Sequence, residues 1–150
     1  MSEVCAAMGI VNLDVINMYL IKNRNNYYHY KEQLADVKGV KLFEYIDDDN
    51  PEESFNVRNY QYIVIEVDDK KADVNRNALL KLLRLKAVLA RRYFYPGCHK
   101  NPPYDKQIHR PLLNTEALAQ RVLCLPTGDA INFADIDRVC NIIRITCGSK

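Results

Sequence analysis

The chain has 150 residues with a formal net charge of +2; 48% of them are apolar, 27% are charged, and the mean hydropathy is −0.30. That is the profile of one soluble globular domain, large enough to bury a core without covalent staples, and so small a net charge argues against a general affinity for nucleic acid. No uninterrupted apolar run approaches the roughly 20 residues a membrane span needs, and the start of the chain lacks a signal peptide's charged and apolar blocks, so no membrane attachment is expected and a cytoplasmic location is. The five cysteines (Cys5, Cys98, Cys124, Cys140, Cys147) are odd in number and irregularly spaced, with no C-x-x-C pair. They read as reduced thiols, mostly in the core, and no metal site is expected.

In chain order, Glu3 to about Ala35 reads as one long helix, because Val4, Met8, Val11, Val15 and Met18 recur at steps of four and three. A second apolar row, Ile10, Leu13, Ile16 and Leu20, lies on another side, so the first turns need partners on two faces. Beyond Lys22 the stripe narrows to Tyr27, Tyr30 and Leu34. Gly39 suits a helix-to-strand turn; Val40 to Ile46 and Tyr60 to Val67 read as strands, joined by a solvated acidic loop around Asp47, Asp48, Asp49, Glu52 and Glu53. Asp73 or Asn75 can cap a helix carrying Leu79, Leu80, Leu82, Leu83 and Leu85, which leads into a strand over Val88 to Phe94. Asn114 or Thr115 can cap a short helix through Gln120. Val122 to Leu125 is a brief strand, and Asn132 with Asp135 starts a last helix as a capping box, its buried face Ile136, Val139, Cys140 and Ile143. The order predicts an α/β fold: a long helix over 1–36, then a β-β-α-β-α-β-α layer domain over 37–150, its helices on one face of the sheet. The two-sided apolar start of the first helix implies cover from outside the chain, by another domain or another subunit.

The stretch from Ala90 to Tyr104 is the part that looks built for chemistry, with two arginines, three tyrosines and a histidine. Guanidinium forks suit phosphate or carboxylate, tyrosine joins an apolar ring to a hydroxyl, and histidine donates or accepts near neutral pH. It sits within a basic run, Lys81, Arg84, Lys86, Arg91, Arg92, Lys100, Lys106 and Arg110 against the single acid Asp105, which would attract a phosphorylated ligand. His109, before Pro111, reads as a surface residue, and Cys98 as a spectator thiol with no base placed to activate it.

Three pieces in order carry a resemblance: Met1-Ser2-Glu3-Val4-Cys5-Ala6-Ala7-Met8-Gly9 opening the long helix, the Ala90–Tyr104 loop, and Leu123-Cys124-Leu125-Pro126-Thr127-Gly128 leading to Phe133-Ala134-Asp135-Ile136. From end to end the chain resembles the C-terminal part of the DegT-type sugar aminotransferases of fold type I. The resemblance implies a complete enzyme that uses pyridoxal 5'-phosphate to move an amino group from glutamate to a keto-sugar on a nucleoside diphosphate, and that is a homodimer with active sites at the subunit interface. It also implies that the lysine binding the cofactor, the acid facing its pyridine nitrogen and most phosphate contacts lie in a large domain preceding Met1, so that Met1 stands inside a longer protein. By itself the chain is then expected to be inactive, with no cofactor bound covalently.

Carried over position by position, the resemblance makes Arg92, Tyr93, Tyr95, His99 and Tyr104 the candidate substrate-binding residues. Arg92 would pair with the diphosphate or a carboxylate, and His99 and Tyr104 would meet sugar hydroxyls or the wall beside the cofactor. If the strand persists, Tyr93 and Tyr95 share a face and Phe94 is the core residue between them. The alternative is a stand-alone sugar-nucleotide-binding or interaction module without catalysis.

Overall fold

The computed structural model describes residues 2–44, 58–107 and 110–148. The acidic segment 47–53, Ile46 and His109 lie outside the described residues. Helix α1 (Glu3–Leu34) is followed by β1 (Val40–Leu42), β2 (Ile63–Val67), α2 (Arg76–Leu85), α3 (Leu113–Arg121), β3 (Val122–Leu125) and α4 (Phe133–Thr146), with two short 3-10 turns at Cys98–Lys100 and Tyr104–Lys106. The sheet has the order β1-β2-β3 and is antiparallel throughout, with Leu42 opposite Ile65 and Ile65 opposite Leu123.

Alternation on β2 decides the layers. Ile63, Ile65 and Val67 are buried in one cluster with Leu123 and Leu125, with Tyr27, Tyr30 and Leu34 of α1, Leu79, Leu80 and Leu83 of α2, and Ile136, Val139, Cys140 and Ile143 of α4. Glu66 points the other way and meets Arg121, the last residue of α3, at 2.9 Å. Three helices therefore cover one face of the sheet and α3 lies toward the other, which corrects the expectation of helices on a single face. The motif after β3 is gripped by α1: the Tyr30 hydroxyl donates to the Pro126 carbonyl at 2.9 Å, and Asn26 Nδ2 to the Gly128 carbonyl at 3.1 Å. At the turn into β1, Gly39 has φ +73°, and a Cβ there would collide with the backbone of Ala72.

The two halves of α1 behave differently. From Asn26 onward its inner stripe is buried, whereas Val4, Met8, Val11 and Leu13 are each more than 60% exposed, on both apolar rows. Over its most apolar window the helix has a mean hydropathy of 1.7 and none of it is buried, so by length and composition it is long enough to cross a bilayer, a property an unbroken-run criterion misses. Asn12, Asp14 and Asn17 fall inside this half.

Caps act where the pattern places them at α2, where Asn75 Oδ1 accepts from the Ala78 N–H at 3.0 Å, and at α4, where Asn132 and Asp135 form the reciprocal box. At α3 neither Asn114 nor Thr115 caps; Leu112 occupies the N-cap position with no side-chain hydrogen bond. The expected strand over Val88 to Phe94 is reduced to one bridge, Arg91 with Cys124, closed by two backbone hydrogen bonds of 2.9 and 2.8 Å.

How α2 ends explains the aim of that segment. The Val88 N–H returns to the Leu83 carbonyl and the Ala87 N–H to that of Arg84, a Schellman motif with buried Val88 packed under buried Leu83. Its left-handed residue is Ala87 at φ +61°, where glycine is the usual occupant. Ala87→Gly is accordingly expected to raise the unfolding free energy by about 0.5–1 kcal/mol, read as a higher urea midpoint at unchanged slope.

Thiol accessibility gives a second check on the packing. Cys124, Cys140 and Cys147 are buried, and burial pushes the Cys140 thiol up to about 12 and that of Cys147 up to about 11, while Cys5 and Cys98 are exposed. In a disulfide-exchange assay near pH 8 two thiols should react at once and three only as the chain unfolds; five fast thiols would contradict this core.

Candidate functional site

The site is organised by a buried arginine that sequence reading did not single out. Arg76 opens α2 directly after its cap and shares the stripe of Leu79, Leu80 and Leu83, so the helix turns it inward; it is 2% exposed. Its Nη1 donates to the Val122 carbonyl at 3.1 Å, while Nε and Nη2 are buried without a partner. The Tyr95 ring stacks on it, 5.1 Å from the guanidinium carbon, and Arg92 stacks on the same ring at 4.4 Å. Burial, then the charge of Arg92, hold Arg76 below its ordinary pKa. The readable signal was its place at i before apolar residues at i+3, i+4 and i+7.

Past the Arg91 bridge the chain turns, the Tyr95 N–H reaching back to the Arg92 carbonyl at 3.0 Å, so strand alternation is lost. Phe94 is 61% exposed, which overturns its expected core role. Tyr93 and Tyr95 do not share a face: Tyr95 joins the two arginines, while the Tyr93 hydroxyl accepts from Arg91 Nη1 at 2.9 Å and its ring meets Tyr62 edge-on at 5.7 Å. Gly97, at φ +121°, lies under the His99 ring, whose Cε1 would be 2.6 Å from a Cβ. His99 Nε2 approaches Glu116 Oε1 at 3.5 Å, long for a hydrogen bond, and Lys100 Nζ meets Glu116 Oε2 at 2.8 Å. The Lys100 hydrogen bond foremost holds the Glu116 carboxyl below its usual range. Tyr104 begins the second 3-10 turn and is exposed.

Of the five predicted residues, Arg92 and Tyr95 are brought together, Tyr93 joins a neighbouring aromatic cluster, His99 joins Lys100 and Glu116, and Tyr104 stands apart in the turn. Beside Arg92 opens a groove of about 420 Å3 lined by Asn77, Leu80, Lys81, Arg84, Leu85 and Arg92. Among the described residues no cluster of histidine, cysteine and carboxylate could hold a metal ion. Pyridoxal phosphate needs a lysine in a buried setting that keeps its amine neutral. Every described lysine is exposed except Lys22, which is half-buried with its ammonium over the Phe133 ring. The described residues therefore do not fit that anchor.

A long helix running into a small antiparallel sheet, with a basic aromatic loop at the sheet's rim, is the architecture of the C-terminal domain of fold-type I transferases. The chain belongs to the DegT/DnrJ/EryC1/StrS aminotransferase family, whose sequence pattern matches residues 1–144. It is 28% identical over 146 residues to the dTDP-4-amino-4,6-dideoxy-D-glucose transaminase of Escherichia coli, covering 95% of this chain and 37% of that protein. DesI, solved in the presence of its TDP-sugar product, superposes with a TM-score of 0.85 at 39% identity, over 99% of this chain and 36% of DesI. PseC of Helicobacter pylori, an aminotransferase involved in the biosynthesis of pseudoaminic acid, shares the fold at a TM-score of 0.78 and 14% identity, over the whole of this chain and 38% of PseC. The chain thus spans a little over a third of the length of these relatives.

Truncating Arg76 should expose its structural weight. Arg76→Ala is expected to destabilise the chain by about 2–4 kcal/mol in urea unfolding, having removed a buried stem and the partner of Val122. Arg76→Met should cost less than half as much, because it keeps the buried stem while the charge and the two orphaned donors leave as they do in the alanine variant.

Proposed function

We propose that this chain serves as the small domain of a pyridoxal-phosphate-dependent nucleotide-sugar aminotransferase, in which a large domain supplies the cofactor-binding lysine and glutamate the amino group. The observation that carries this reading is the likeness to DesI, at 39% identity and a TM-score of 0.85 over 99% of the chain. In this reading residues 1–36 join the large and small domains and 37–150 form the small domain of a cytoplasmic homodimer. The exposed apolar rows of α1 support it, since they offer the large domain and a second subunit something to cover. Arg92 and Tyr95 would hold the phosphorylated end of the sugar nucleotide, and Tyr93, His99 and Tyr104 would line the sugar's side.

The second reading is a sugar-nucleotide-binding module without catalysis, supported by the groove beside Arg92 being lined wholly by residues of this chain. Replacing the matching segment of DesI by this chain separates the two. The aminotransferase reading expects a chimera that transfers the amino group, with Arg92→Ala lowering kcat/KM by about tenfold or more. A chimera that folds, binds the cofactor and turns nothing over, while the 150-residue chain alone binds a dTDP-sugar, would leave the binding module standing.

A further inference from the structure

The outer stripe of α2 carries Asn77, Lys81 and Arg84 at i, i+4 and i+7, so the three side chains stand one above another beside Arg92. A merely solvated basic face is ordinarily relieved by acids one turn away, yet the sequence of α2 contains none, and the like charges of Lys81 and Arg84 at i,i+3 repel each other. Elsewhere some cations are paired, Lys31 with Glu44, Lys71 with Asp68, Lys100 with Glu116, Arg121 with Glu66 and Arg144 with Asp36, while others such as Lys70, Lys86 and Lys106 meet no carboxylate among the described residues; what distinguishes this face is that three cations line one groove. Among the described residues no carboxylate pairs with Lys81, Arg84 or Arg92. Behind them Arg76 adds a buried positive charge whose Nε and Nη2 have no partner. Three cations thus line one groove with no acid in its lining, with the buried charge of Arg76 beside Arg92 behind them, and an anion bound there would relieve the repulsion between like charges.

Shape narrows the anion. A groove of about 420 Å3 is larger than a single small ion needs and lies in the range of small-molecule sites. Its charges are spread along two turns of α2 and across to Arg92, matching an extended anion with charge at two points. Arg92 lies over the Tyr95 ring, 4.4 Å from its centroid, and a guanidinium presents its N–H groups as a fork suited to phosphate oxygens. Leu80 and the exposed Leu85 supply an apolar wall, and no aromatic side chain lines the groove for bases to stack on, which argues against a single-stranded nucleic acid.

We infer that the groove between the outer face of α2 and Arg92 is a diphosphate-binding site in which Lys81 and Arg84 are ligands alongside Arg92. The site stands on this geometry; only the assignment of its natural ligand as the diphosphate of a nucleotide sugar rests on the proposed function. The test is a calorimetric titration of the 150-residue chain at low salt with inorganic pyrophosphate and with dTDP, for the wild type and for the double variant Lys81→Gln/Arg84→Gln. Glutamine is a good helix former at these exposed positions, so the fold should persist, and Lys31→Gln/Lys71→Gln controls for the same loss of charge elsewhere.

Both ligands are expected to bind the wild type, more weakly as salt rises, and the double variant should lose roughly tenfold or more for each while the control stays within about twofold. Equal affinity for the two ligands would assign the site to a free diphosphate, and tighter binding of dTDP to a nucleotide. The inference is overturned if pyrophosphate does not bind, if the double variant behaves like the control, or if an oligothymidine strand binds more tightly than dTDP. An inactive DesI chimera would defeat the aminotransferase reading without touching this titration.

Discussion

A single buried guanidinium ties together the parts of this chain that face a ligand. Arg76 belongs to the first turn of α2, is hydrogen-bonded to the first residue of β3, and lies beneath the aromatic ring of the loop that follows the sheet's last bridge. Burying a cation without a carboxylate is costly, and hydrogen bonding to one carbonyl and contact with one ring compensate only part of that. Here the charge sits directly behind Tyr95 and Arg92, so the residue that anchors the helix also sets the potential of the surface in front of it.

Periodicity made the core legible. The stripe Ile136, Val139, Cys140 and Ile143, the capping box that starts it, the tyrosine row of α1 and the β-branched run of β2 are all found where their spacing puts them, because each depends on contacts within its own element. What could not be read depends on partners distant in sequence. Val88 to Phe94 has strand composition, but a strand needs an edge, and the turn after Arg91 leaves it one bridge. Arg76 escaped notice because arginine is ordinarily assigned to the surface, although its position on an apolar stripe was visible. The candidate residues were legible as a group and not as an arrangement: Tyr93 and Tyr95, two apart, point into different neighbourhoods once the chain turns between them.

The Leu-Pro-Thr-Gly stretch that helped to mark the resemblance has a structural task on this chain. Its carbonyls are held by Tyr30 and Asn26, and burial against this contact, with nearby Cys140 and Asp135 adding to it, drives the Tyr30 hydroxyl far above its ordinary pKa, so it remains a donor at any physiological pH. On the same helix His29 meets Asp137 at 2.6 Å and stacks on Phe133, and Arg144 reaches the Gln33 carbonyl at 2.7 Å. The second half of α1 is thereby fastened to α4 at both ends of their contact.

That fastening gives the free half of α1 a mechanical meaning. From Glu3 to Lys22 the helix projects about 30 Å beyond its anchorage as an unbroken rod, at roughly 1.5 Å per residue. A rod of that length is a lever arm. Turning it by about 5° about Asn26 carries its tip through about 3 Å, by the same rise per residue, so whatever grips the first turns of α1 reads small rotations of the core as displacements on the scale of a hydrogen bond.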